Sequence, residues 1–282
     1  MLRTATTRLL HDADLPAVRR LLAADPVAGC LIATRVEATG LERRRLGAEL
    51  WGHDGDVTHG LDGLCLAGAN LVPLSQSAPA LAGFADRAAA QGRRCSSIVG
   101  VESAVDAVWT QLAAEWGPAR DVRTGQPLMA VSERSTLPPD PAVRAVVPEE
   151  LDILMPACVA MFTEEVGVSP IGSDSGRGYR GRIRELIGAG RAFARIEDGE
   201  VVFKAELGAV SERACQIQGV WVRPDRRGEG IGAAGTSAVV AAALATFAPV
   251  VSLYVNDYNE PALGAYRRVG FRQVGTFMTV LF

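Results

Sequence analysis

Residues 215–247 read CQIQGVWVRPDRRGEGIGAAGTSAVVAAALATF. Apolar residues at Ile217, Val220 and Val222 give the first part of this stretch the character of a strand, which Pro224 breaks. A basic turn with Arg226, Arg227, Gly228, Gly230 and Gly232 follows, and then a run of small residues that reads as a helix. A strand that ends in a glycine loop and continues as a helix presents backbone N–H groups the helix does not use, at the positive end of its macrodipole. The glycines remove the Cβ atoms that would keep a diphosphate from those groups, and they permit positive φ where the turn needs it. The expected ligand of residues 228–233 therefore carries phosphate.

Two common phosphate loops do not fit. A Walker loop needs Lys and Ser or Thr after its last glycine, and Gly232 is followed by Ala233 and Ala234. A dinucleotide fingerprint needs Gly-x-Gly-x-x-Gly, and Gly228, Gly230 and Gly232 lack that spacing. Downstream, residues 249–255 read as a second apolar strand, and residues 262–269 as a short helix. Asn259 is placed to cap that helix, Pro261 to occupy its first turn and Gly270 to end it.

Arg227, Gly230 and Gly232, preceded by the strand around Val220, Trp221 and Val222, resemble the Arg/Gln-x-x-Gly-x-Gly/Ala signature of the GCN5-related N-acetyltransferases (GNAT). Asn259, Ala262, Tyr266, Gly270 and Phe271 resemble the second motif of the same family, and the two stand in the right order. The resemblance covers residues from about 142 to 282. It implies an α/β (α+β) fold, a mixed and mostly antiparallel twisted sheet flanked by helices, with a splayed central strand pair. It also implies acetyl-CoA as cosubstrate and direct transfer of the acetyl group to a primary amine of a small molecule, a peptide N-terminus or a lysine. Coenzyme contacts then fall on the main chain of Val220, Trp221 and Val222, on Arg227, Gly228, Glu229, Gly230, Ile231, Gly232 and Ala233, and on Asn259 and Tyr266. Tyr266 would also protonate the departing thiolate, a role suited to a phenol protonated at neutral pH. As plain structure, Asn259 is a helix cap and Tyr266 an aromatic packing residue.

A base is harder to find. His11, His53 and His59 all lie in the N-terminal half, and Gln216 stands where some family members carry a glutamate. An amide cannot take a proton. The candidates are Glu206 in an apolar-flanked run, Glu164, Glu165, or a chain of waters. Glu206 also reads as a structural carboxylate paired with Lys204 or an arginine. Gln216, and the lack of a second glycine loop, leave open a catalytically silent acyl-CoA-binding sensor or scaffold. The Ser- and Gly-rich stretch 169–179 borders the acceptor side in this family and is the expected specificity element.

The chain has 282 residues, 48% of them hydrophobic and 22% charged, with a net charge of −3. That composition suits a globular protein with room for two domains and gives no general attraction to nucleic acid or an anionic membrane. Cys30, Cys65, Cys95, Cys158 and Cys215 are scattered, without a paired motif, so neither a disulfide framework nor a zinc site is expected. The run His53-Asp54-Gly55-Asp56 with His59 matches no metal spacing and reads as a polar loop. No metal is expected. The start of the chain lacks an apolar signal, which makes the cytoplasm the expected setting. The partners this reading implies are an amine substrate and, at most, a second copy of the chain as a homodimer.

The N-terminal half gives a capped helix over 12–24, with Asp12 or Asp14 at its start. Strand-like pieces follow over 57–74, then a helix at 81–90, a strand at 97–101, a helix at 104–116 and a strand at 127–131. Arg43, Arg44 and Arg45 read as a solvated helix face, and Trp51, Trp109 and Trp116 as core or domain-interface residues. The C-terminal half repeats the order of strand, helix, strand, helix, strand. Residues 1–135 are therefore expected to be a diverged copy of the same fold that has lost its phosphate loop, with an unrelated α/β domain as the alternative. Residues 136–141, rich in proline, are the expected linker, and 142–282 the second domain.

Overall fold

The computed structural model describes residues 6–55, 60–172 and 175–282. They form two compact units: Met1–Leu128 with Gln273–Phe282, and Met129–Arg272.

In the first unit, β1 (Thr7–Leu9) is followed by α1 (Leu15–Ala24), α2 (Cys30–Thr39) and α3 (Arg43–Leu46). Then come β2 (Glu49–Asp54), β3 (Leu61–Ala67), β4 (Asn70–Ser75), α4 (Ala78–Gln91), β5 (Ser97–Val101), α5 (Glu102–Trp116) and β6 (Asp121–Val131). The chain's last strand, β12 (Arg272–Leu281), joins this unit. It pairs antiparallel with β5, from Phe277 opposite Val101 to Leu281 opposite Ser97. The strand order is β1-β2-β3-β4-β5-β12-β6. β2, β3 and β4 form an antiparallel meander, whereas β4 and β5 run parallel and pair at Asn70–Ser97 and Leu71–Ile98.

In the second unit, β7 (Arg144–Ala145) precedes α6 (Leu151–Val166), α7 (Arg177–Gly188), β8 (Ala192–Glu197), β9 (Glu200–Val210) and β10 (Cys215–Val222). These are followed by α8 (Ile231–Thr246), β11 (Val251–Tyr254) and α9 (Glu260–Val269). The order is β11-β10-β9-β8-β7. β8, β9 and β10 again form an antiparallel meander, and β10 and β11 again run parallel with two pairs, Cys215–Val251 and Gln216–Ser252. The β8–β9 hairpin turns at Asp198 and Gly199, both at positive φ. The repeated topology agrees with the reading of the first half as a diverged copy.

One face of the second sheet packs on α8 and α9 through Phe203, Ala205, Leu207, Ile217 and Val239. The other packs on α6 and α7 through Leu154, Cys158, Met161, Ile183 and Trp221. The alanines and glycines of α8 let it lie close to the sheet. A Cβ on Gly235 would sit 2.7 Å from the Phe203 ring. We expect Gly235→Ala to destabilise the protein by about 1–3 kcal/mol through overpacking, read as a lowered denaturant midpoint at unchanged slope.

Several expectations need correction. Residues 136–141 do not form a free linker. Asp140 is buried, its N–H donates to the Ala234 carbonyl and its carboxylate meets Arg195, while Ser237 Oγ donates to the Leu137 carbonyl. The expected second domain loses its last strand, because β12 completes the first unit. β2 was not foreseen. Its buried run contains Glu49, Gly52 and His53, and these polar and glycine positions hide the strand pattern. His53 belongs to β2 rather than to a loop and shares a hydrogen bond with Thr7 Oγ1 at 2.9 Å, and Asp54 accepts from Arg8. Asp56 and His59 lie outside the described residues. Neither Asp12 nor Asp14 caps α1 through its side chain: Asp12 accepts from the Leu41 N–H and Asp14 from Arg8. Trp51 is fully buried in the first unit, and Trp109 and Trp116 pack edge-on against Phe282.

Candidate coenzyme site and catalytic groups

The turn between β10 and α8 is held in place by its flanks. Gly228 and Gly230 adopt φ of 84° and 83°, and no atom lies within 4 Å of where a Cβ would stand on either. Gly232 packs toward Val222, at 3.4 Å from an added Cβ. The N–H groups of Ala233 and Ala234 donate to the Gly230 carbonyl. Among the described residues, the N–H groups of Gly228, Glu229, Gly230, Ile231 and Gly232 find no acceptor. Consecutive amides without partners, at the start of a helix of 16 residues, form an electropositive concavity that suits a diphosphate.

The side chains of the turn face elsewhere. Arg227 Nη2 donates to Glu164 at 2.7 Å, and Arg227 Nε to the Val222 carbonyl at 3.0 Å. Trp221 Nε1 donates to the second oxygen of Glu164 at 3.2 Å, so one carboxylate of α6 fastens both the strand end and the loop. Arg226 is held by Glu197 and Glu229. The arginine singled out in the sequence thus shapes the loop.

Beside the loop, β10 parts from β11 and bulges against β9. Pairing with β11 ends at Gln216, and the register with β9 shifts between Gln218 and Trp221. Gly219, at φ 61°, makes the bulge. The extra residue explains the sidedness of the strand: Ile217, Val220 and Val222 meet the α8–α9 core, while Trp221 meets the other. An unpaired main-chain edge from Ile217 to Val222 can accept an extended ligand carrying amides.

Beneath the bulge lies an ion pair. Lys204 Nζ donates to Glu206 Oε2 at 3.0 Å, with the lysine side chain 1% and the glutamate 11% exposed. A Cβ on Gly219 would lie 3.0 Å from Lys204 Nζ and 3.3 Å from Glu206 Cδ. Burial disfavours the Lys204 ammonium, and Glu206, with a smaller contribution from Cys158, more than offsets it, so the amine keeps its proton above its ordinary range. Burial pushes the Cys158 thiol up to about 11, so it stays protonated. Tyr179 Oη donates to the Cys158 carbonyl at 3.0 Å, and burial together with Cys158, Glu206 and Glu165 holds its phenol protonated. The carboxyl expected in apolar surroundings is therefore an ion-paired carboxylate.

Tyr266 is buried on α9, with its ring edge-on to Phe271 at 6.0 Å between centroids. Its hydroxyl makes no hydrogen bond among the described residues. Burial, and then the Glu165 carboxylate, raise its pKa well above the ordinary phenol value, so the proton stays on oxygen. Asn259 caps α9: its side-chain oxygen accepts from the Ala262 N–H at 3.3 Å. Gln216 is buried, and among the described residues neither polar atom of its amide has a partner.

The sequence thus pointed to the loop, to Tyr266 and to Glu206. It missed Gly219 as the bulge, Tyr179 and Cys158 beside the ion pair, and Glu164 as the clasp on Trp221 and Arg227. A glycine inside a strand pattern was the available signal for the bulge. No group of metal-ligating side chains occurs among the described residues, and no described helix is long and apolar enough to cross a membrane.

In the first unit the corresponding turn is closed to anions. Ser77 Oγ accepts from the Ala80 N–H at 3.4 Å, Ser75 Oγ accepts from the Ser77 N–H at 3.0 Å, and Pro79 has no N–H to offer. The helix is capped by its own chain.

Comparison with known proteins agrees with this geometry. Residues 48–154 match a domain of unknown function, DUF4081, and residues 168–271 match the acetyltransferase (GNAT) family. No curated protein matches the sequence. A solved Drosophila protein superposes with a TM-score of 0.69 at 12% identity, covering 99% of each chain. A GCN5-related N-acetyltransferase from Sphaerobacter thermophilus gives 0.56 at 18% identity, over 98% of this chain and 94% of that one. A tandem GNAT protein from the clavulanic acid biosynthesis pathway gives 0.52 at 14% identity, over 99% and 98%. At these identities the likeness is one of fold. With the family match, the unpartnered amides and the bulged, splayed β10, the conclusion is that residues 168–271 form a domain of the GNAT acetyltransferase family.

Proposed function

We propose that the protein is an acetyl-CoA-dependent N-acetyltransferase acting on a primary amine. The observation that carries this reading is the row of unpartnered N–H groups at Gly228–Gly232, set beside the unpaired edge of β10. The amides at 228–232 hold the diphosphate, and the edge from Ile217 to Val222 pairs with the amides of the pantetheine arm. Acetyl-CoA supplies the activated thioester. The Glu206 carboxylate, ion-paired with Lys204, accepts the amine's proton, directly or through water. Tyr266 Oη, still protonated at neutral pH, donates to the sulfur as it leaves.

Release of free coenzyme A from acetyl-CoA, assayed against small amines, peptide N-termini and lysine peptides, tests the proposal. Amine-dependent release is expected. Binding of acetyl-CoA without release on any amine would identify the chain as a silent coenzyme-binding module. Tyr266→Phe is expected to lower kcat by about 10²–10⁴-fold with little change in acetyl-CoA affinity. Equal losses in turnover and affinity would assign Tyr266 a packing role only.

A further inference from the structure

A cavity of about 250 Å³ opens in the first unit, among residues that take no part in the site above. Trp51 of β2, Ala67 of β3, Leu71 of β4, Ala88 of α4 and Trp116 of α5 give it apolar walls. It lies at the start of β4 and the end of α4. The turn from β4 into α4, whose counterpart in the second unit carries the free amides, is at the other end of both elements. The cavity is therefore no remnant of a coenzyme loop.

Its polar groups are uneven in sign. Arg43, Arg94 and Glu49 line it, and Glu49 is fully engaged. Arg43 Nη2 lies 3.0 Å from one oxygen of Glu49, while the other accepts from Trp51 Nε1 at 2.8 Å and Gln91 Nε2 at 3.0 Å. Arg87, stacked 5.2 Å over the Trp51 ring, adds a second cation to that carboxylate. Burial opposes ionisation of Glu49, but Gln91, Trp51 and the two arginines outweigh it and hold the carboxyl below its usual range. A carboxylate saturated in this way has little left for a cationic ligand. What it does is fix Arg43 at the rim. Arg94 is exposed and has no ion-pair partner among the described residues. The buried Trp116 indole N–H has no acceptor among the described residues. The site thus offers apolar surface, cations in excess and spare donors.

We propose that this cavity binds a small organic carboxylate with a flat apolar body. The body lies against Trp51, Leu71 and Trp116, and the carboxylate meets Arg94 and Arg43. An apolar cavity of about 150 Å³ is enough to hold benzene, so this volume suits a molecule the size of benzoate. Charge-assisted contacts to arginine distinguish it from neutral and cationic analogues of the same shape.

Benzoate, benzamide and benzylamine serve as probes, titrated into the full chain and followed by calorimetry and tryptophan fluorescence. Benzoate is expected to bind at least about tenfold more tightly than benzamide, and benzylamine not at all. Arg94→Gln, which breaks no ion pair, should weaken benzoate about tenfold, and Ala67→Leu should exclude it by filling the cavity. Gly230→Glu should leave benzoate binding intact, which separates this site from the coenzyme site. Benzamide or benzylamine matching benzoate, benzoate indifferent to both Arg94→Gln and Ala67→Leu, or no benzoate binding at millimolar concentration would each overturn the proposal.

Discussion

Gly230→Glu is expected to abolish acetyl-CoA binding, lowering affinity by at least about a hundredfold in calorimetric titration. Gly230 stands at φ 83° with no atom within 4 Å of where a Cβ would stand, so the substitution clashes with no packed neighbour at Cβ and the fold survives. Three effects combine at the ligand. A Cβ at positive φ strains the turn by about 1–2 kcal/mol and relaxes it away from the cradle. The side chain occupies the space in front of the free amides of residues 228–232. Its carboxylate competes for the same N–H groups and repels the incoming diphosphate. Gly230→Ala carries only the strain and should lose less, which separates backbone geometry from charge. Equal affinity in all three proteins would mean that the loop does not touch the coenzyme.

Lys204→Met is expected to destabilise the second unit by about 3 kcal/mol, because it strands the Glu206 carboxylate among buried residues. Glu206 keeps an exposed edge of 11%, which places the loss at the lower end of the usual 3–5 kcal/mol for half of a buried pair. The double variant Lys204→Met, Glu206→Leu should recover most of that stability, since apolar residues of similar volume replace both charges. The same double variant should have no transferase activity if Glu206 takes the amine's proton. A stable double variant with full turnover would reduce the ion pair to a packing element and move the base to Glu164, Glu165 or solvent. Chemical denaturation and the coenzyme A release assay read the two outcomes separately.

Local chemistry made much of this legible. Asn259, Pro261 and Gly270 mark the ends of α9, and Asp198-Gly199 marks a hairpin, because those residue types suit those backbone conformations with little help from the rest of the fold. The glycine loop was readable for the same reason. The bulge was also written in the sequence: Ile217 and Val220 are three apart where a regular strand would space its inward residues by two. Reading them as simple alternation overlooked the irregularity that frees the edge of β10.

What stayed hidden depends on partners distant in sequence. β2 carries Glu49 in its buried run, and that carboxylate is tolerated only because Arg43, Trp51, Gln91 and Arg87 converge on it. The proline-rich stretch looked like a linker because proline marks extended chain, but the Asp140 contacts with Arg195 and Ala234 bind it to the second unit. β12 follows directly on α9, and nothing in its composition says that it pairs with β5 some 180 residues earlier. Lys204 and Glu206, two apart on one strand, were readable as a pair. Their place beneath Gly219 follows only from the fold.

The most direct measurement is a crystal structure of the chain with acetyl-CoA bound. The account predicts diphosphate oxygens within about 2.7–3.2 Å of the backbone nitrogens of Gly228–Gly232, with the pantetheine arm lying along Ile217–Val222. A coenzyme seated elsewhere, with those five amides facing only solvent, would contradict it.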